Sequence, residues 1–345
     1  MAADIAEQPG GFARLLDGPH AGAIAEIAAE VARRRPRSVM FVARGTSDHA
    51  ALYGAYLTEI RLGLPVASAS PSAITLYGAR PDYRDTLVVG VSQSGGSPDL
   101  TGVLSVARET GGLTLAVTNN PGSPLAQAAE LSIDVAAGHE RAVAATKTYT
   151  AELLALLMLV EGIRAGDGCL PDGERAALDK LPQLAEDALA DVAADELAQR
   201  YRFASRMVTT GRGYAYPTAR EAALKLMETS YLPALAFSGA DLLHGPLAMT
   251  DPDVPVLAVV GDGPGGQSMR EVVGRLAERR ADVVTIGASD VDGAAGRLAV
   301  PPVADERYSA LLDILPLQRL ALALALARGE DPDSPRGLKK VTTTL

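Results

Sequence analysis

The chain has 345 residues, of which 48% are hydrophobic and 21% charged, and this composition is typical of a globular protein with two domains of ordinary size. Its net charge is −10, and lysine and arginine are not concentrated in one block, which argues against a nucleic-acid surface. The single cysteine, Cys169, excludes an intrachain disulfide and a thiolate zinc cluster. No export signal precedes the first helix and the apolar runs are too short to span a bilayer, so we expect a soluble cytoplasmic protein without membrane contact.

Predicted strands and helices alternate along the chain. Helices are predicted over 11–34, from the loop after Gly45 through Glu59, over 100–109 and 147–164, and up to about Arg328 at the end of the last apolar run. Strands are predicted over 38–43, 65–69, 87–91, 113–117, 131–135, 207–211 and 256–260. This alternation indicates an α/β fold with doubly wound parallel sheets flanked by helices, which bind ligands at the carboxyl ends of their strands.

The second half of the chain repeats the first. Arg212 follows a strand 168 residues after Arg44, and Val260 ends a strand 169 residues after Val91, so we predict a duplicated domain. The repeated loop, Gly261–Gly265, carries an acid and no hydroxyl until Ser268, so only the first copy is expected to hold a phosphate. The predicted organisation is an N-terminal helical segment (1–35), a first domain (36–165), a helical linker (166–200), a second domain (201–327) and a tail (328–345).

Two hydroxyl-rich loops follow two strands of the first copy. Gly45-Thr46-Ser47 follows one strand, and Ser92-Gln93-Ser94, with Ser97, follows another. In a doubly wound sheet both loops end at one edge, where backbone N–H groups, hydroxyls and helix N-termini form a neutral cradle for a phosphate. No P-loop lysine is present, so a magnesium–nucleotide site is not predicted. The alternative is an ordinary strand–helix turn with a serine cap.

The hydroxyl loops, with four further segments, resemble the sugar isomerase (SIS) domain family, and in order they resemble the isomerase half of glucosamine-6-phosphate synthase. The four segments are His139–Thr150, Ala222–Tyr231, Asp241–Leu247 and Pro335–Thr342. The resemblance runs from about residue 20 to the C-terminus and implies two tandem SIS domains. It implies that Thr46, Ser47, Ser92, Gln93, Ser94 and Ser97 hold the phosphate of a sugar phosphate, and that Val143 and Ala144 line the sugar through backbone groups.

Three charged residues in the second half lie at helical spacing. Glu221, Lys225 and Glu228 share one helix face, a spacing typical of a surface salt-bridge ladder, although the apolar neighbours favour burial of part of this face. The resemblance implies that Glu228 moves a proton between C1 and C2 of the open-chain sugar, a role that burial assists if it raises the pKa of the carboxyl toward neutrality.

Two further side chains take catalytic roles only through the resemblance. It assigns His244 to ring opening, commonly in a neighbouring subunit's site, and we therefore expect a homodimer; a lone histidine in a Gly- and Pro-bounded loop is otherwise more often structural. It assigns Lys340 to a Schiff base with the sugar carbonyl, with the tail folding over the active site. Lys339 is the adjacent alternative, and a tail lysine is otherwise a solvated charge.

Departures from the synthase pattern direct the expected chemistry away from synthesis. The glutaminase segment is missing, and Gly96, Ala145 and Met227 replace an acid, a serine and a lysine. We therefore expect an isomerase and deaminase that converts glucosamine 6-phosphate to fructose 6-phosphate and ammonia without a cofactor or metal. The alternatives are a dehydratase or lyase acting on N-acetylglucosamine 6-phosphate, a deglycase for fructosamine-type phosphates, and a non-catalytic phosphosugar sensor.

Overall fold

The structure is a computed structural model that describes residues 1–338 and Lys340. The chain folds into two compact units. We name the unit built from Gly10–Glu140 and Lys147–Lys180 the N-domain, and the unit built from Met1–Pro9, Arg141–Thr146 and Leu181–Leu338 the C-domain.

The N-domain contains a five-stranded parallel sheet with the order β2-β1-β3-β4-β5. Its strands are β1 (Ser38–Val42), β2 (Val66–Ser68), β3 (Thr86–Ser92), β4 (Leu113–Thr118) and β5 (Leu131–Asp134). Its helices are α2 (Gln8–Leu16, beginning two residues before the unit), α3 (Gly18–Arg34), α4 (Thr46–Leu57, continued by a π turn over Thr58–Leu62), α5 (Pro71–Thr75), α6 (Pro98–Glu109), α7 (Pro124–Ala128), α8 (Lys147–Ala165) and α9 (Asp172–Leu178).

Helices cover both faces of this sheet. Phe41 of β1 points to the face that α4 and α8 cover. Its ring lies close to Gly54 of α4 and Leu156 of α8, since a Cβ added to Gly54 would lie 2.9 Å from the ring and 3.3 Å from Leu156. The next residue, Val42, packs into the opposite core with α6 and α7. The alternation of side chains along a strand therefore places two apolar layers on one sheet, which is the architecture predicted from the sequence.

The C-domain contains a second five-stranded parallel sheet, with the order β10-β9-β8-β6-β7. Its strands are β6 (Met207–Gly211), β7 (Ala234–Ser238), β8 (Val256–Val259), β9 (Val283–Gly287) and β10 (Gly296–Ala299). Its helices are α1 (Ala2–Ala6), α10 (Leu181–Ala190), α11 (Ala193–Tyr201), α12 (Ala215–Ser230), α13 (Gly239–Leu243), α14 (Pro264–Glu278) and α15 (Glu306–Ala327), with a 3₁₀ turn over Pro246–Met249.

The two sheets confirm the duplication. β1 and β6 occupy the same place in their sheets, as do β3 and β8. Phe41 pairs with Val89 in the first sheet and Thr210 pairs with Ala258 in the second, an offset of 169 residues on both strands (210 − 41 and 258 − 89). The second copy therefore preserves the register of the first as well as its strand order.

Two local predictions differ from the structure. The helix predicted over 11–34 is two helices, since Asp17 is extended and Pro19 lies in the first turn of α3, where a residue without an N–H group is tolerated. Within the described residues α15 is also long and apolar enough to cross a bilayer, yet 72% of its most apolar window is buried. It packs against α12 and α11, so the packing accounts for its apolar composition.

Candidate functional site

The first hydroxyl loop of the N-domain connects β1 to α4. Gly45 adopts a φ of +55° immediately before the helix, which begins at Thr46. Thr46 is half-buried, whereas Ser47 is buried and its hydroxyl donates to Glu152 Oε1 of α8 at 2.8 Å. A hydroxyl has one proton to donate, so in this geometry the O–H of Ser47 is committed to Glu152.

The second hydroxyl loop connects β3 to α6 and is held by its own side chains. Ser92 Oγ accepts the N–H of Gly95 at 3.1 Å, and Ser94 Oγ accepts the N–H of Gly96 at 3.3 Å. Gly95 has a φ of +61°, and a Cβ there would lie 2.1 Å from Ser123 Oγ, so only glycine fits. Gln93 and Ser97 are both half-buried, and Ser97 is the N-cap of α6.

The two loops meet at one edge of the sheet. β1 and β3 are hydrogen-bonded neighbours and run parallel, so their carboxyl ends lie side by side. In the order β2-β1-β3, β2 lies on one side of β1 and β3 on the other, so the strand order reverses between β1 and β3. Open α/β sheets bind ligands at such a point. α4 and α6 both begin here, so the positive ends of their dipoles favour an anion.

Sequence reasoning missed an ion pair that links the two loops. Arg44 Nε donates to Oδ2 of Asp99, in the first turn of α6, at 3.1 Å. Arg44 Nη2 lies 2.9 Å from the same oxygen. Asp99 is buried, and its Oδ1 accepts the N–H of Leu100 at 2.9 Å, whereas Arg44 keeps 51% of its side chain exposed. The cradle therefore has a cation at its rim, which the sequence-based picture of a neutral cradle did not include.

A large cavity lies away from these loops, at the other edge of the same sheet. It has a volume of about 1160 Å³, and Val39 and Leu87, near the starts of β1 and β3, line it together with Leu156 and Val160 of α8. The lining is mainly aliphatic and includes none of the predicted phosphate-binding residues. Size alone therefore does not identify the site, and the hydroxyl loops remain the candidate.

In the C-domain, Asp4 of α1 holds the segment that contains Val143 and Ala144. The buried Asp4 Oδ2 accepts the N–H groups of Arg141 at 3.1 Å and Ala142 at 2.9 Å. Val143 is half-buried and Ala144 is buried in the turn that follows. Asp4 therefore fixes the backbone just before Val143 and Ala144. A fixed backbone is what the predicted contact with a sugar through backbone groups requires.

The charged ladder on α12 is buried, which the spacing alone did not indicate. Lys225 Nζ lies 3.3 Å from Glu221 Oε1 and also donates to Glu228 Oε2. Glu221 and Lys225 are fully buried, and Glu228 keeps 23% of its side chain exposed. Burial alone would lower the pKa of Lys225, but the carboxylates of Glu221 and Glu228 outweigh it and raise the pKa above its ordinary value. Lys225 is therefore a fixed cation that orients Glu228 toward the surface.

His244 lies on an exposed turn after α13. Thr209 of β6 bonds to Ala219 of α12, whereas its neighbour Val208 packs in the core with Leu242 of α13 and Met269 of α14. Neighbouring residues of a strand point to opposite faces of the sheet, so α12 and α13 cover opposite faces. Within one C-domain, Glu228 and His244 consequently belong to helices on different faces of the sheet.

The start of the tail is attached to the end of α12. Arg336 donates its backbone N–H to the Tyr231 hydroxyl at 2.6 Å, and its guanidinium lies 3.9 Å from the centre of the Tyr231 ring. Tyr231 caps α12 in a left-handed conformation, three residues after Glu228. Lys340 is half-buried, and Lys339 lies outside the described residues.

Comparison with known families identifies the fold. The SIS domain model matches residues 34–162 and 201–328, which is more than half of the chain. The chain belongs to the SIS domain family. Both SIS regions coincide with the two parallel sheets, as expected of a double-SIS protein.

Individual SIS relatives are similar over nearly the whole chain. A glutamine–fructose-6-phosphate aminotransferase of Thermococcus kodakarensis is 36% identical over 353 aligned residues, covering 99% of this chain and 58% of the relative. The chain thus spans a little over half of that relative's length. A crystal structure from Silicibacter pomeroyi DSS-3, provisionally described as a phosphosugar isomerase, is 36% identical with a TM-score of 0.87 and covers 96% of this chain and 98% of its own. The C-terminal domain of the Francisella tularensis glucosamine–fructose-6-phosphate aminotransferase is 25% identical with a TM-score of 0.85, at 96% and 97% coverage.

Proposed function

We propose that this SIS protein is a cytoplasmic enzyme that isomerises and deaminates an amino-sugar phosphate, with glucosamine 6-phosphate as substrate. The observation that carries the proposal is the buried ion triad of α12, in which two carboxylates hold Lys225 charged and Glu228 reaches the surface. A sensor needs a phosphate cradle but has no use for a buried charge set of this kind. Buried, paired charges are costly to assemble and are concentrated at functional sites.

The proposed reaction begins with binding of the phosphate and opening of the ring. The N-termini of α4 and α6, with the hydroxyl loops and Arg44, bind the phosphate dianion. His244 transfers the proton that opens the pyranose, since imidazole can accept and donate protons near neutral pH. We propose that a homodimer supplies His244 to the partner's site, because its own chain places it on the other face of the sheet from α12.

Proton transfer and deamination complete the sequence. Glu228 removes the proton from C2 and returns it to C1, which converts the 2-amino aldose into a 2-imino ketose. The Lys340 amine displaces ammonia from C2 to form a Schiff base, and water then hydrolyses that bond to release fructose 6-phosphate. The balance is one water consumed and one ammonia released for each sugar phosphate.

The test is a paired incubation with glucosamine 6-phosphate and N-acetylglucosamine 6-phosphate, in which ammonia and product mass are read in both. Ammonia with fructose 6-phosphate from the first supports the proposal, and Glu228→Gln should remove that turnover while the exposed control Glu271→Gln retains it. Loss of one water from the acetylated sugar, without ammonia from the other, would replace the deaminase with a dehydratase. Binding without turnover would point to a fructosamine-type phosphate or to a sensor.

A further inference from the structure

The C-domain contains a structural counterpart of the phosphate cradle. The unit β8–loop–α14 takes the same place in its sheet as β3–loop–α6 does in the N-domain. Both helices have proline in their first turn and begin directly after a glycine-containing loop. α14 is 15 residues long, so its N-terminus carries the positive end of a full helix dipole, and Gly265 and Gly266 supply N–H groups in its first turn.

A carboxylate of the same chain occupies this second cradle. Glu306 Oε1 accepts the N–H of Gly266 at 2.9 Å, and Oε2 accepts the N–H of Gly265 at 3.2 Å. A Cβ on Gly263 would lie 2.4 Å from Oε2, and one on Gly265 would lie 2.7 Å from Oε1. The loop is built of glycines at these positions because its backbone closes around the two oxygens, as a loop does around two oxygens of a phosphate.

Two acids that neighbour this loop, Asp262 and Asp305, have partners of their own, whereas Glu306 faces the N–H groups. Asp262 pairs with Arg270 at 3.3 Å, and Asp305 caps the first turn of α15 by accepting the N–H of Arg307. Ser309 and Asp313, further along α15, line a small cavity of about 80 Å³ beside Glu306, and each has a buried oxygen without a hydrogen-bond partner. Burial raises the pKa of Asp313 to about 8, so the protein favours the neutral form of this carboxyl.

We propose that Glu306 is an internal substitute for phosphate that closes the anion cradle of the second SIS domain, so that sugar phosphates bind to the first copy alone. This role for Glu306 rests on the proposed function, because the phosphate site of the N-domain is the counterpart with which the second cradle is compared. It explains why the second loop has lost its hydroxyls, since a carboxylate fixed by the fold needs fewer donors than a diffusing dianion. Glu306 is thus the residue that determines which copy accepts a ligand.

The test compares Glu306→Ala with wild type and with Glu271→Ala, an exposed glutamate of α14. In chloride, E306A should melt roughly 3–6 °C lower, because the helix N-terminus loses its cap. At matched ionic strength, about 20 mM sulfate should restore at least half of that loss, because a tetrahedral dianion fills the vacated cradle. Wild type and E271A should shift by less than about 1 °C under the same exchange. An equal sulfate response in all three proteins would overturn the inference.

Two further measurements separate this inference from the proposed function. Titration of wild type with sorbitol 6-phosphate, which has no carbonyl to react, should give one site per chain, and two sites would contradict the closure by Glu306. Absence of binding would contradict the proposed function, while the sulfate comparison would still decide the role of Glu306. If E306A does not fold, Glu306→Gln provides the second variant: its amide oxygen accepts one of the two N–H groups while its NH2 group faces the other, so E306Q should melt below wild type, and an unchanged melting temperature would overturn the inference.

Discussion

At the scale of single residues, an ion pair joins the two loops of the proposed anion site of the N-domain. Asp99 is buried and anchors the guanidinium of Arg44, which is half-exposed and oriented by two contacts to one oxygen. A cation fixed in this way contributes to phosphate binding without being ordered on binding, which reduces the entropic cost. The pairing also stabilises the fold, because removal of Arg44 leaves the buried carboxylate of Asp99 without its compensating charge.

We predict that Arg44→Ala weakens binding of phosphate and of the sugar phosphate by about tenfold, since a charge-assisted hydrogen bond contributes about 1.5–3 kcal/mol and this one is partly exposed. Arg44→Lys should recover part of the loss, because it retains the charge but not the two-pronged contact. Competition by inorganic phosphate, read as an inhibition constant, measures the effect. Arg108→Ala, an exposed arginine at the far end of α6, is the control. Equal inhibition constants for R44A and R108A would exclude Arg44 from the site.

Because of Asp313, the free energy of unfolding should decrease as pH rises, which is opposite to the usual effect of a carboxyl group. Burial raises the pKa of this carboxyl to about 8, and the nearby acids Glu306 and Asp262 contribute to the increase. Between about pH 4 and pH 8 the native state then binds a proton that the unfolded state has lost, so this group makes stability fall as pH rises, by up to about 1.4 kcal/mol per pH unit.

Asp313→Asn should remove this slope and leave the protein more stable than wild type at pH 7.5, with a smaller difference at pH 4.5. Urea unfolding across this pH range measures the slope. The exposed Asp292→Asn is the control and should follow wild type. A D313N variant that retains the wild-type pH slope would show that Asp313 is ionised in the folded protein.

At the scale of elements, the periodicity of the sequence predicted all five strands of the first sheet, because apolar runs depend on local pattern, but only β6 and β8 of the second. It predicted that Glu221, Lys225 and Glu228 share a face of α12 and that part of this face is buried, but not which residues, because that depends on packing by distant elements. The Arg44–Asp99 pair joins residues 55 apart in sequence, and Gly266–Glu306 joins residues 40 apart. Such contacts follow from topology and side-chain geometry, which hydrophobic spacing does not encode.

The attachment of the tail to α12 gives a prediction at this scale. Tyr231→Phe removes the acceptor for the Arg336 N–H but keeps the ring under the guanidinium, whereas Tyr231→Ala removes both contacts. We expect a small decrease in turnover for the first and a larger one for the second, because the tail that carries Lys340 loses its anchor.

Two readouts follow the tail directly. Borohydride trapping of sugar on Lys340 should fall in parallel with turnover, and trypsin should cleave after Arg336 faster in Y231A than in wild type. Tyr77→Ala, an exposed tyrosine of the N-domain, is the control. Unchanged cleavage and trapping in Y231A would show that the contact between Arg336 and Tyr231 does not position the tail. The Schiff-base role of Lys340 would then be tested separately.

At the scale of the whole molecule, the duplication gives two strand–loop–helix units at equivalent places, and we propose that both are anion cradles, one of them closed by Glu306. The N-domain copy combines hydroxyls, helix N-termini and Arg44. The C-domain copy contains Glu306 in its cradle and the ion triad on α12. If the proposed assignments hold, one copy binds phosphate and the other carries charged groups of a different kind, which accounts for two similar sheets with unequal loops.

The proposed homodimer makes a prediction that depends on which chain supplies each group. If Glu228 and His244 act in one site from different chains, a heterodimer of Glu228→Gln and His244→Ala has one site with both changes and one intact site. Mixing and refolding the two inactive variants in equal amounts should then recover about a quarter of wild-type activity, since half of the dimers are mixed and each has one working site.

The same experiment distinguishes the arrangement in which each chain uses its own histidine. In that case every site contains one altered residue, and the mixture stays as inactive as either variant alone. A refolded mixture of E228Q with the double variant E228Q/H244A is the control, because no combination of those chains assembles an intact site. Because α12 and α13 cover opposite faces of one sheet, we expect recovery in the first mixture and none in the control. A light-scattering mass near 35.7 kDa for the active species would contradict the homodimer itself.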